Sequence, residues 1–262
     1  MSASQTTNPA GSSIQEVTPA RPLWHVILVR PETMTFVLLI AAVVVASQLS
    51  PYFLDISYIL RSFTLSAEFA IVALVLTMVI IAGEIDLSPA ANMALSACLF
   101  AWAQASGIPM PVAIGIGLLA GLAMGALNAF MVIALQLPSI IVTIGTLTLF
   151  RGLAQIIAGD KSIRVPDWFI GIDKVLVFGI PMPVVIFVLA AFVLGLILAG
   201  TIFGRQIYQV GTNEVAARYA GIRTRRIKLV LFLLMGLVAA IAGMMTASRL
   251  GSVRYDLGLG GE

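Results

Sequence analysis

No Asp, Glu, Lys or Arg occurs between Asp86 and Arg151, a run of 64 residues. A segment of that length without charge cannot form a soluble surface. At about 20 residues per crossing, it holds several consecutive membrane spans joined by short uncharged turns. Composition agrees: of 262 residues, 60% are hydrophobic and 10% charged, with a mean hydropathy of +1.06. An ordinary soluble domain carries roughly a quarter of its residues as charges. A water-soluble globule is therefore excluded, and the expected fold is all-α: a polytopic helical bundle integral to the lipid bilayer.

Hydrophobic segmentation predicts about seven spans, near 34–50, 63–82, 87–105, 111–134, 138–158, 177–200 and 228–248. Residues 1–30 read as a polar tail and 31–262 as the transmembrane domain. The tail is too long and polar for a secretory leader, so the first apolar run is expected to be retained. Short loops rich in Lys and Arg stay on the cytoplasmic side. The segment 201–228 carries Arg205, Arg218, Arg223, Arg225, Arg226 and Lys228 against Glu214 alone, which makes it cytoplasmic. Counting back six spans places the N-terminus in the cytoplasm too, with Arg21, His25 and Arg30. Loop 159–176 balances Lys161, Arg164 and Lys174 against Asp160, Asp167 and Asp173, and offers Trp168 and Phe169 as interfacial anchors on the outer face. The net charge of +3 is thus explained by topology, and a nucleic-acid partner is not expected.

Within the spans, Ala113, Gly117, Gly121, Gly125 and Ala129 recur every four residues, a stripe that lets helix backbones approach in lipid. Ala239, Gly243 and Ala247 repeat it more weakly. Polar groups at membrane depth face a cavity or another helix. For Asn128 an interhelical hydrogen bond and a pathway role both remain open. Glu68, near the outer end of its span, is placed to snorkel or to contact the pathway, and Arg151 to reach the interface or an acidic partner. Cys98 reads as a small core residue. The run GEIDLSPAANMALSA (83–97) begins like a helix N-terminus: Asp86 or Ser88 can cap it, and Pro89 suits its first turn. An interrupted helix facing a translocation cavity would use the same residues. Val215 to Ala220, followed by Gly221, suits a short helix with a glycine stop.

No phosphate loop, zinc-protease helix or nucleophile elbow is present, so no catalytic residue and no metal site are expected. On the residues alone two readings stay open: a transport subunit or an ATP-independent carrier or channel for a small polar solute, and an intramembrane enzyme, which the lack of a His, Cys or Ser constellation disfavours.

The stretch VGTNEVAARYAGIRTRRIK (210–228) resembles the coupling segment of permease subunits of bacterial ATP-binding-cassette importers for simple sugars, the ribose-type branched family. GEIDLSPAANMALSA, NAFMVIALQLPSIIVTIGTLTLFRGLA (128–154) and GLVAAIAGMMTASRLGS (236–252) resemble further motifs of that family, in its order and spacing. The resemblance implies a pathway for a monosaccharide or related small sugar across the bacterial inner membrane. It also implies a second permease copy or paralogue, cytoplasmic ATPase subunits that bind ATP and Mg, and a periplasmic sugar-binding protein. By the same resemblance, Asn213, Glu214, Ala216, Ala217 and Gly221 form or flank the helix that enters the ATPase. Glu84, Pro89 and Ala90 depart from the family's usual GGIDLSVG. Family members continue for some sixty residues more, so the sequence is expected to lack the C-terminal part of a larger permease.

Overall fold

The computed structural model describes residues 31–159, 161–171 and 174–261; the polar tail 1–30, and with it the expected cytoplasmic N-terminus, lies outside the described residues. The helices are α1 (Pro31–Leu49), α2 (Ile56–Thr64), α3 (Ala67–Ile81), α4 (Pro89–Ala105), α5 (Met110–Ile133), α6 (Ser139–Ala158), α7 (Met182–Gly200), α8 (Ile202–Thr212), α9 (Glu214–Tyr219) and α10 (Thr224–Leu250). The chain divides into two compact units, Met1–Asp55 and Ile56–Glu262. α1 belongs to the first and is a helix without Asp, Glu, Lys or Arg from Thr33 onward. The site and core described below belong to the second.

Toward the seven expected spans the described helices supply four to five candidate crossings. Among the described residues, α5, α6, α7 and α10 are long and apolar enough to cross a membrane, and α2 with α3 makes a fifth that is bent by 65°. The third expected span falls short because residues 82–88 are unwound and α4 starts only at Pro89. Its 17 residues extend about 26 Å at 1.5 Å per residue, less than the roughly 30 Å of hydrocarbon. This matters little to α4, because 13 of those 17 residues are buried and its neighbours are α5, α6 and α10 rather than lipid. α7 is the opposite case: only Pro183 and Val184 are buried, and Val188, Leu189, Phe192 and Leu196 are exposed, as an apolar helix against acyl chains requires.

Glycines set the spacing of the three central helices. A Cβ at Gly121 of α5 would lie 2.5 Å from both the Ala240 Cβ and the Gly236 carbonyl oxygen of α10. At Gly125 and Gly236 it would run into the facing backbone, at Phe232 and Gly121 respectively. Gly117 faces α4, where a Cβ would stand 3.2 Å from Phe100 and Ser96, and Gly243 lies against the Met93 backbone. In lipid, where apolar burial gives no net drive, this closeness supplies the packing attraction.

At one end of the unit, β1 (Ile163–Arg164) pairs antiparallel with β4 (Ser252–Val253), and β2 (Leu176–Val177) with β3 (Ile180–Pro181). The two expected aromatic anchors separate here. Trp168 stays exposed, but Phe169 is buried, its ring centroid 5.2 Å from that of Phe100 and its carbonyl accepting a 2.5 Å bond from Ser248 Oγ. Packing on α4 takes the ring away from the interface. Glu68 does not snorkel either: it is fully buried and receives Arg249 Nε at 2.9 Å, an ion pair that an isolated buried carboxylate needs. Arg151 donates to the carbonyls of Tyr255 (3.0 Å) and Leu257 (2.7 Å), holding the segment that follows α10.

Candidate functional site

Two polar clusters occupy the unit, and a lysine joins them. The first lies at the end carrying α8 and α9. Thr201 caps α8 by accepting from Gly204 N at 3.1 Å, and Asn213 ends α8 and caps α9 by accepting from Ala216 N at 2.9 Å. Such caps make a six-residue helix viable. α9 ends in a Schellman motif: Ile222 N donates to Ala217 O, Gly221 N donates to Arg218 O, and Gly221 takes φ +82°. Ala217 points inward and is buried, while Ala216, Ala220 and Gly221 are exposed. The outward face of α9 presents Val215 and Tyr219, 62% and 89% exposed, one turn apart.

Glu214 ties α9 to the bundle. It accepts from Arg218 (2.9 Å), from Thr224 Oγ1 (3.2 Å) and from Lys228 Nζ (2.6 Å). Lys228 pairs at the same time with Glu84 at 2.5 Å, so one ammonium bridges α9 and the segment before α4. These charges face a cavity of about 290 Å³ that Gln136, Ser139 and Arg225 also line. Burial by itself raises the Glu214 pKa, but the bonds from Lys228, Arg218 and Thr224 outweigh it and hold the carboxyl below its ordinary 4.5. The stabilisation is therefore present above about pH 4.5 and is lost as pH falls through the lowered folded value. Amide exchange across 214–221, corrected for intrinsic rates, should accelerate below that pH, and Glu214→Gln should flatten the dependence.

The second cluster is built on the unwound stretch 83–88. Gly83, at φ +83°, turns the chain beside Gly211 of α8, whose own Cβ position is filled by the Ile81 carbonyl. Backbone groups freed from helix bonding find partners on α6: Ser139 Oγ accepts from Ile85 N at 3.1 Å, and Thr143 Oγ1 donates to Ile85 O at 3.3 Å. Asp86 Oδ1 accepts from both N (2.9 Å) and Oγ (2.7 Å) of Ser88. Neither side chain caps α4 directly; Ser88 occupies the N-cap position, with Pro89 at the first turn. Asn128 Nδ2 reaches across from α5 to Ser88 Oγ at 2.8 Å, an interhelical bond that leaves its buried Oδ1 without a partner. The ladder continues along α4, with Asn92 donating to Gly121 O (3.4 Å) and Ser96 donating to Asn92 Oδ1 (3.0 Å).

Sequence reading singled out Asp86 and Asn128 but missed Asn92, Ser96, Ser139 and Thr143. The first two stand four apart in a charge-free run, which is the signal for a shared helix face. Lys228 was counted only as topology, and Glu84 only as a departure; no spacing rule links residues 144 positions apart.

A multi-pass apolar bundle with a buried polar break, tied by a lysine to a basic end, is the organisation of a membrane transport subunit. The chain belongs to the family described as branched-chain amino acid transport system / permease component, whose model matches residues 58–261. It is similar to the autoinducer 2 import system permease protein LsrD of Enterobacter sp. (strain 638), at 34% identity over 234 residues, covering 87% of this chain and 72% of that protein. The LsrD proteins of Klebsiella pneumoniae subsp. pneumoniae (34%, covering 87% and 70%) and Photorhabdus laumondii subsp. laumondii (35%, covering 84% and 68%) are comparably similar. No solved structure matches the chain. As a permease component it is a transport subunit rather than an enzyme.

Proposed function

We propose that this chain forms the translocation pathway of an ATP-driven importer for a small sugar or sugar-like signal molecule. The observation that carries the mechanism is the Glu84–Lys228–Glu214 bridge, because it fastens the exposed helix α9 to the polar break inside the bundle. On this reading α1, the bent pair α2–α3, α4, α5, α6, α7 and α10 serve as seven crossings of the inner membrane, with the N-terminus and the 201–228 loop in the cytoplasm. The loop docks on ATPase subunits that bind ATP and Mg, and a second permease copy completes the pathway. A periplasmic binding protein delivers the solute. Autoinducer 2 import by the similar permeases supports the sugar-like substrate. Closure of the ATPase pair moves α9, and Lys228 passes that movement to residues 83–88 between two discrete packings.

Val215 and Tyr219 are the apolar anchors such a dock requires. Tyr219→Ala should reduce retention of the ATPase on the purified permease about tenfold while leaving thermal stability in detergent unchanged, since the side chain is 89% exposed. Uptake into proteoliposomes that continues without the ATPase, driven by a solute gradient, would replace this reading with an ATP-independent carrier.

A further inference from the structure

Asp86 is 2% exposed, yet both of its hydrogen bonds fall on Oδ1; Oδ2 receives none among the described residues. A carboxylate so deeply buried ordinarily has both oxygens occupied. The free oxygen is not sealed in. Among the described residues, the atoms enclosed without a partner are Glu68 Oε2 and Asn128 Oδ1, whereas Asp86 lines a cavity of about 80 Å³ with Phe69, Leu76, Ala90, Met93 and Gly261. The first turn of α4 begins beside this cavity: Pro89 has no N–H and Asn92 N donates to Ser88 O, which leaves the Ala90 amide at the cavity without an intrahelical acceptor.

Two unwound segments converge at the same place. Residues 83–88 bring Asp86-Leu87, and the stretch after α10 brings Asp256-Leu257 and then Gly258, where a Cβ would stand 3.3 Å from Ala90 O. Arg151 fixes that second segment through the Tyr255 and Leu257 carbonyls. Interrupted backbone at membrane depth is tolerated where it lines a cavity, and a pair of interruptions points to the solute site.

We infer that this cavity is a solute subsite in which Asp86 Oδ2 accepts a hydroxyl hydrogen of a polyhydroxylated solute. The Ala90 amide donates to a solute oxygen, and Phe69 and Met93 cover its C–H face. The volume admits one hydroxylated edge of a sugar, with the remainder in the opening of the cavity. Glu84 stands two residues before Asp86, so the anchor of the basic end and the solute acceptor share one unwound segment. The inference rests on the importer reading and names where that importer holds its substrate.

The test uses the full chain assembled with its ATPase and binding protein in proteoliposomes, with D-ribose and autoinducer 2 as probes. Ala73, exposed at the rim of the cavity, is changed to Cys; the parent chain, whose Cys98 is buried, gives the background. The transported probe should slow modification of Ala73→Cys by a small water-soluble thiol reagent at least fivefold. Asp86→Asn keeps the Ser88 bonds and should raise KM about tenfold without changing kcat, the scale of one lost hydrogen bond to a charged group. Uptake with no protection of Ala73→Cys would overturn the subsite and leave the importer standing, and so would an unchanged KM in Asp86→Asn. If Asp86→Asn fails to insert, the protection experiment decides by itself. Absence of uptake of either probe would remove the importer reading and the subsite with it.

Discussion

Lys228→Met is expected to lower solute uptake at least tenfold while the protein still inserts into the membrane. Lys228 is 13% exposed and lies between the carboxylates of Glu84 and Glu214, which are 10% and 33% exposed. Removing the ammonium takes from Glu84 the cation that stands 2.5 Å away and leaves Glu214 to Arg218. Breaking a fully buried pair costs about 3–5 kcal/mol, and the figure here is smaller because Glu214 retains solvent contact. The expected consequence is release of α9 from residues 83–88, so that ATP hydrolysis by the partner no longer responds to solute. Glu84→Gln combined with Lys228→Met should recover the protein yield without recovering transport, because a neutral amide there needs no cation, which restores stability but not the tether. Uptake by Lys228→Met at the parent rate would show that movement reaches the break by another route. Solute-stimulated ATPase activity and uptake, measured on the same vesicles, separate these results.

Gly125→Val is the substitution expected to damage the fold most. Its side chain would occupy the position of the Phe232 carbonyl on α10, and a neighbouring glycine, Gly236, has already removed all the slack that side. No rotamer relieves a clash with backbone, so α5 and α10 must separate. Overpacking in a close-packed interior costs about 1–3 kcal/mol, and displacement of two helices places this change at the upper end or beyond. The expected result is loss of the monodisperse peak in detergent and a fall in unfolding temperature. Gly145→Ala on α6 is the control: a Cβ there meets nothing within 4 Å, so stability should hold or rise slightly.

These two residues differ in how visible they are beforehand. Gly125 belongs to a four-residue repeat, and such a repeat has one physical meaning in lipid, close approach along a helix face. Its partner was not legible, because any helix with small residues could have faced it; α10 supplies Gly236 and Ala240. Lys228 looked like one of six basic residues marking a side of the membrane. What distinguishes it is a turn of α10 that directs it inward to Glu84 and Glu214, and no local pattern encodes that direction. Glu68 and Phe169 show the same limit from the other side. Each had a plausible interfacial position by sequence, and each was drawn inward by a group distant in the chain, Arg249 for the acid and Phe100 for the ring.

The sequence by itself determined that this chain is a multi-pass helical membrane protein and which loop concentrates the positive charge. Those properties follow from transfer free energies, which are sums over residues and need no partner. Tertiary structure decided the bend between α2 and α3, the depth at which α4 begins, and the bridge from α9 to the polar break. These depend on hydrogen bonds and ion pairs between residues far apart in the chain. Such pairs have no energy until the backbone has brought them within about 3 Å of one another.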